Sequence, residues 1–189
     1  MRLGDYEGTP SKWDWSAAIS KSALKTELSK TDSRLISVHR PNGGADVPFT
    51  AVWIANKGTD KTNWDWSPGS TGANLDAVVK KAKGRLIHVD AFTLTGKGVR
   101  FAGIWVTNTG SFKRDWGWDP ALTSAQLKAK VGRAWRIISL TTYVVEGRRL
   151  YAAVWVKNTG AEHRKWSWAP SATFEELRQK LEDLPSRLV

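Results

Sequence analysis

A chain that repeats itself every fifty residues or so must fold as an array of like units, and this constrains the present sequence before any single residue is weighed. Each copy turns on a Trp-x-Trp pair: Trp13/Trp15, Trp64/Trp66, Trp116/Trp118 and Trp166/Trp168. A hydroxyl follows each pair, at Ser20, Thr71, Thr123 and Thr173, and then a leucine, at Leu24, Leu75, Leu127 and Leu177. Next come Arg-Leu-Ile at 34–36 and 85–87 and Arg-Ile-Ile at 136–138. A second apolar run opens at Phe49, Phe101 and Tyr151, and each run ends in Asn-x-Gly punctuation at Asn56/Gly58, Asn108/Gly110 and Asn158/Gly160. The chain therefore divides into a half copy over 13–33 and copies over 34–84, 85–135 and 136–184, inside one domain of 1–189.

Inside a copy, the hydroxyl four residues before the leucine has the position of a helix N-cap, where its oxygen accepts an orphan amide of the first turn. Thr123 with Gln126, and Thr173 with Glu176, complete reciprocal capping boxes. Helical periodicity follows, as in Leu75/Val78/Val79 or Phe174/Leu177/Leu181, and helices are predicted near 20–30, 71–83, 123–132 and 173–183. Pro68, Pro120 and Pro170 sit in the approaches, where a missing amide costs nothing.

The Arg-Leu-Ile segments alternate as strands do. Ile36/Val38, Ile87/Val89 and Ile138/Leu140 are expected to point one way, with Ser37/His39, His88/Asp90 and Ser139/Thr141 on the opposite, half-exposed face. The second runs are apolar on both faces, the pattern of a strand covered on both sides. The resulting unit is strand, hairpin, strand, Trp-x-Trp loop, helix. The fold class expected is an α+β repeat protein, a curved antiparallel sheet of six strands built from three β-hairpins, with four helices packed on one face.

The residues Leu122-Thr-Ser-Ala-Gln-Leu127, Arg136-Ile-Ile-Ser-Leu140, Tyr143 and Arg149-Leu-Tyr-Ala-Ala-Val-Trp155 resemble the bacterial tandem repeat domain. Similar repeats form the N-terminal part of fungal polyglycine hydrolases and accompany β-lactamase-like serine hydrolases. The resemblance runs through all three full copies and is tightest in the third. It implies a repeat fold and an accessory role beside a hydrolase or cell-wall component, and it brings no settled activity to carry over. The chain departs from the pattern by doubling the Trp in its loops, and no hydrolase domain is expected within these 189 residues.

Composition removes whole classes of chemistry. There are no cysteines, so disulfides, thiolate metal sites and cysteine nucleophiles are absent. Three scattered histidines make no metal-binding spacing, and no cofactor motif appears, so neither metal nor cofactor is expected. Twenty-nine basic against 18 acidic residues give 29 − 18 = +11, a charge that attracts polyanions without choosing among them. The opening Met-Arg-Leu-Gly-Asp-Tyr-Glu has no apolar stretch of the signal-peptide kind. An extracellular location is expected only if a leader has been removed, and a cytoplasmic one otherwise. No run approaches a membrane span, so membrane insertion is not expected.

The Trp-x-Trp pairs are the sharpest candidates for a site. Residues two apart in an extended segment share a side, so each pair offers a double aromatic surface. Cations precede them at Lys12, Lys61, Arg114, Arg164 and Lys165. Exposed indoles beside cations suit sugar rings, stacked bases or aromatic side chains. The structural alternative is that the same rings clamp the segment onto its helix and seal the core. Trp53, Trp105 and Trp155 lie mid-strand in two-sided apolar runs and are expected in the core.

A second-choice groove is offered by Ser37, His39, His88, Asp90, Ser139 and Thr141 on the polar strand face. No nucleophile elbow accompanies them, and satisfied polar residues are the plainer reading. Ser22-Ala-Leu-Lys25 spells the Ser-x-x-Lys of penicillin-recognising enzymes, but it falls within the first helix and lacks that site's partner motifs. No catalytic residue is assigned.

The expected function is a non-catalytic binding module with repeated Trp-x-Trp sites, lectin-like and directed at a glycan or cell-surface polymer. The alternatives are an accessory domain for a protein partner, and a polyanion or nucleic-acid binder acting through the basic loops.

Overall fold

In the computed structural model, residues 12–58, 61–132, 134–160, 163–168 and 173–183 are described, with the side chains of 112, 177 and 180–183 set aside. The N-caps form where the hydroxyls predict them. Ser20 caps α1 (Lys21–Thr31), Thr71 caps α2 (Gly72–Lys81) and Thr123 caps α3 (Ser124–Lys130). The capping box is closed at Thr123/Gln126, and Thr173 and Glu176 make the same pair of bonds ahead of α4 (Phe174–Asp183). Leu24, Leu75 and Leu127 are fully buried beneath their helices; the expectations for Pro170, Leu177 and Leu181 lie outside the described residues.

The hairpins also form: β2 (Ser33–His39) with β3 (Phe49–Ala55), β5 (Gly84–Leu94) with β6 (Gly98–Thr107), and β8 (Trp135–Val145) with β9 (Arg148–Lys157). The first three Trp-x-Trp segments are not loops, whereas Trp166 and Trp168 lie outside any strand. Those three form third strands: β1 (Trp13–Ile19), β4 (Trp64–Ser70) and β7 (Trp116–Leu122), each antiparallel to the second strand of the hairpin that follows it. Their place at the sheet edge tolerates Pro68 and Pro120, which fall where the register shifts, between Ser67 and Ser70 and between Asp119 and Leu122.

This third strand changes the architecture. It fills the hairpin edge through which neighbouring copies could have paired, so the expected single six-stranded sheet is replaced by three sheets of order β1-β3-β2, β4-β6-β5 and β7-β9-β8. The coarser expectation, helices and antiparallel strands in a repeating α+β array, stands. Neighbouring sheets meet through their faces. The first core cluster joins Leu24, Leu28, Phe49, Ala51 and Trp53 of one unit to Ile87, Ala102, Ile104 and Val106 of the next. The second joins Leu75, Val79, Phe101 and Trp105 to Ile138, Ala152, Val154 and Val156 in the same way. Alternate residues of β6 and β9 thus serve two different cores, which is why these strands are apolar on both faces. Trp53, Trp105 and Trp155 are buried, as expected.

The first hairpin strands do not alternate as a simple strand would. Register shifts fall between Leu35 and Ser37, Leu86 and His88, and Ile137 and Ser139, and each bulge moves the side-chain phase by one residue. Ile87 therefore joins the first cluster while Leu86 and Val89 join the second, so Ile87 and Val89 do not share a side as simple alternation predicts. Among the described residues, no helix is long and apolar enough to cross a membrane.

Candidate functional site: the Trp strands and the polar seam

Chain direction sets the geography of each unit. A Trp strand runs up one sheet edge, its helix descends, the first hairpin strand ascends and the second returns. The helix C-terminus and the loop leading to the next Trp strand therefore meet at one edge of the unit, which we call the lower edge. Backbone bonds confirm it: Asn56, Asn108 and Asn158 donate their amides to the carbonyls of Asp32, Lys83 and Ala134.

Those three asparagines also build the loops ahead of the Trp strands. The Asn56 side chain accepts from the Thr62 amide at 3.0 Å and donates to the Thr62 carbonyl at 3.1 Å. Asn108 holds Arg114 and Asn158 holds Arg164 by the same pair of bonds. Gly58, Gly110 and Gly160, at φ of 58°, 58° and 60°, supply the left-handed turn inside each clamp. The repeated Asn-x-Gly was the sequence signal for this device.

The cations beside the Trp pairs divide accordingly. Arg114 and Arg164 are half-buried and fold back on their own loops, with Arg114 Nη1 donating to the Lys113 carbonyl and Arg164 Nη1 to that of His163, each at 2.9 Å. Lys12, Lys61 and Lys165 are exposed.

The Trp pairs also divide, by position in the stack. Trp64 and Trp66 rest against the first core cluster, Trp116 and Trp118 against the second, and Trp166 and Trp168 against the third. Trp66 meets Phe49 edge-on at 5.6 Å, and Trp118 meets Phe101 edge-on at 6.2 Å. Trp118 Nε1 also donates to Asp76 Oδ1 of α2 at 3.2 Å. The hydrogen bond from Lys80, aided by that from Trp118, holds the Asp76 carboxyl below the usual carboxylate range. These rings are half-buried wedges between units. Trp13 and Trp15 occupy the same positions in the first unit and are 59% and 57% exposed.

The polar strand face is drawn together across the units. β2, β5 and β8 lie side by side through the stack. Equivalent positions 51 residues apart therefore touch: Asp90 Oδ1 lies 3.2 Å from His39 Nδ1 and accepts from Thr141 Oγ1 at 3.5 Å, while Asp90 Oδ2 takes the Arg40 amide at 2.8 Å. Two residues earlier in the repeat, His88 Nε2 donates to the Val38 carbonyl at 2.8 Å and Ser139 Oγ accepts from the Val89 amide at 3.0 Å. Ser37, their equivalent in the first unit, is half-buried. Burial pushes the His88 pKa down, against the opposing pull of the Val38 carbonyl and Asp90. An open cavity of about 570 Å³ lies over this seam, lined by His39, Asn42, Asp90, Thr141 and Tyr151 among others. A nucleophile–histidine–carboxylate relay needs the imidazole in the middle. Here the carboxylate is in the middle, bridging His39 and Thr141, so these groups form a structural seam between units.

Arg34, Arg85 and Arg136, which open the first hairpin strands, are buried, although strand alternation gives no hint of it. Trp135 packs half-buried on the third cluster.

Comparison with known families returns the polyglycine hydrolase-like structural repeat at residues 69–108 and 122–158. The two stretches, of 40 and 37 residues, are similar to that repeat and together span 77 of the 189 residues. Each matched stretch of the polyglycine hydrolase-like repeat runs from the end of a Trp strand through helix and hairpin to the clamping asparagine. The resemblance expected through all three full copies is thereby found over these two stretches, and residues 34–68 of the first full copy lie outside them. A search of curated proteins returns no significant match.

Proposed function

We propose that this chain is a non-catalytic binding module and that Trp13 and Trp15 hold its carbohydrate ligand. One observation supports this reading above the others: two indoles on one face of an edge strand are more than half exposed, where the same positions in the next two units are packed away. A Trp ring offers a broad apolar face to the C–H face of a sugar and an N–H to its hydroxyls. Residues two apart on a strand are about 6.6 Å apart, so the two rings address neighbouring sugars of a chain. Among the described Trp pairs Trp13 and Trp15 are the exposed one, so the reading has one platform and not four equivalent ones.

The test is a polysaccharide screen at high salt, read by intrinsic Trp fluorescence. Saturable binding is expected, and it should vanish in Trp13→Ala/Trp15→Ala. Undiminished binding by that variant, or a blank screen, refutes the reading.

A second reading is favoured by the fate of the equivalent rings. Trp66 and Trp118 press on the unit before them, so the outer face of the first sheet also fits a protein surface, as an accessory domain requires. A protein partner displaced by soluble glycan supports the first reading, and one bound at Trp13/Trp15 with no glycan affinity supports the second.

A further inference from the structure

We infer that the ligand is a linear anionic polysaccharide, and that the lower edge of the stack carries its charges while Trp13 and Trp15 stack on its sugars. This rests on the carbohydrate reading above.

Each unit brings two basic features to that edge. The helix C-termini end in Lys30, in Lys80 and Lys81, and in Lys128 and Lys130. The loops before the Trp strands add Lys57 and Lys61, then Lys113, then Lys157 and Lys165. All ten of these side chains are exposed. Lysines in a last helical turn have a plain structural use, since they meet the negative end of the helix dipole. Lys157 is paired with Asp115, whereas Lys57, Lys61, Lys113 and Lys165 do not stand at the end of an α-helix, where the asparagine clamps already tie the carbonyls.

Among the described carboxylates of the same edge, Asp32 is the C-cap of α1 and is exposed, and three others are engaged. Asp14 and Asp65 each accept the amide of the following Trp at 2.8 Å, and Asp115 is paired with Lys157 at 3.1 Å. Stacking of the units then converts a local excess into a row running the length of the array. Trp13 opens β1 at this same edge, beside Lys12, so the aromatic platform and the basic row are continuous. A charged row of this kind concentrates polyanions from a distance.

The choice between polyanions follows from where the exposed rings are. Single-stranded nucleic acid is held by stacking successive bases on aromatic side chains along the basic track. Along this edge the described Trp pairs after the first are wedged between units, and the exposed large apolar side chains there are Trp13 and Trp15. A polymer that needs ring stacking at one end and charge contacts elsewhere fits better, and a carboxylated or sulfated polysaccharide has that chemistry.

The experiment compares four probes on the full chain at low and at physiological salt: heparin, polygalacturonate, neutral xylan and a single-stranded oligonucleotide. It uses wild type, Trp13→Ala/Trp15→Ala, and Lys57→Gln/Lys81→Gln/Lys113→Gln/Lys165→Gln, each checked by circular dichroism. The expected result is tightest binding to an anionic polysaccharide, with affinity falling as salt rises. The lysine variant should bind it about tenfold or more weaker with a flatter salt dependence, since counterion release scales with the charges engaged. Its residual affinity for xylan should be unchanged. The inference is overturned if the lysine variant matches wild type, or if the oligonucleotide binds tighter than either anionic polysaccharide. Xylan bound as tightly as the anionic chains also overturns it, while leaving the Trp platform standing. No polysaccharide bound at all removes the platform and the charged track together.

Discussion

The wedge role of the inner Trp pairs can be measured against the exposed pair, because the repeat supplies its own control. Trp118 and Trp15 are the second Trp of equivalent strands, and both are changed to Ala. Trp118 packs on the second core cluster, meets Phe101 edge-on at 6.2 Å and donates to Asp76 at 3.2 Å. If most of an indole's roughly 200 Å² is covered, the burial at about 25 cal/mol per Å² is worth about 3 kcal/mol. The edge-on pair adds roughly 0.5–1 kcal/mol. Truncation is therefore expected to cost about 3–4 kcal/mol, within the range for large aromatic deletions. Trp15 is 57% exposed and leaves no enclosed cavity when removed, so by the same arithmetic it is expected to cost about 2 kcal/mol at most. Denaturant unfolding followed by far-ultraviolet circular dichroism gives both values without relying on the mutated fluorophores. A gap of about 1–2 kcal/mol is expected between them. Equal costs, within about 0.5 kcal/mol, would refute the claim that the inner rings join units while the outer pair is spare.

Three further outcomes follow from single contacts. Asn108→Ala removes both bonds of a clamp and is expected to lower stability by about 2 kcal/mol and to raise hydrogen exchange in residues 108–114. Thr123→Ala opens the capping box ahead of α3 and should cost about 1 kcal/mol in the same unfolding assay, whereas Thr123→Ser should cost little. His88 has a folded pKa below its unfolded value, so the unfolded chain binds the extra proton as pH falls below about 6.5. Stability present at neutral pH is therefore lost on acidification, by at most about 1.4 kcal/mol per pH unit from this residue. His88→Gln should flatten that acid limb, and an unchanged limb would show that other groups set it.

Much of the fold was legible because its signals are local. A hydroxyl four residues before a leucine caps a helix wherever it stands, and Ser20, Thr71 and Thr123 do so. The two-sided apolar runs and the burial of Trp53, Trp105 and Trp155 followed from composition along a few residues. Nothing local in the Trp-x-Trp segments separates a loop from an edge strand, which tolerates Pro68 and Pro120, and only pairing shows that the first three are edge strands. The strand faces were misassigned for a related reason: a bulge is a property of two strands in register, and Ile36, Ile87 and Ile138 carry no mark of it.

The candidate site shows the same division. Sequence alone determined that four equivalent Trp pairs exist, that cations flank them and that His39, Asp90 and Thr141 recur at one position of the repeat. It could not tell the four pairs apart, since their neighbours in the chain are nearly the same. Their difference comes from stacking: a ring in the second or third unit has a preceding unit's core to rest on, and Trp13 and Trp15 remain more than half exposed. Stacking also brings His39, Asp90 and Thr141, 51 residues apart, within hydrogen-bonding distance of one another. A repeat writes identical local instructions into each copy, and only the order of the copies in space makes one surface available and the others core.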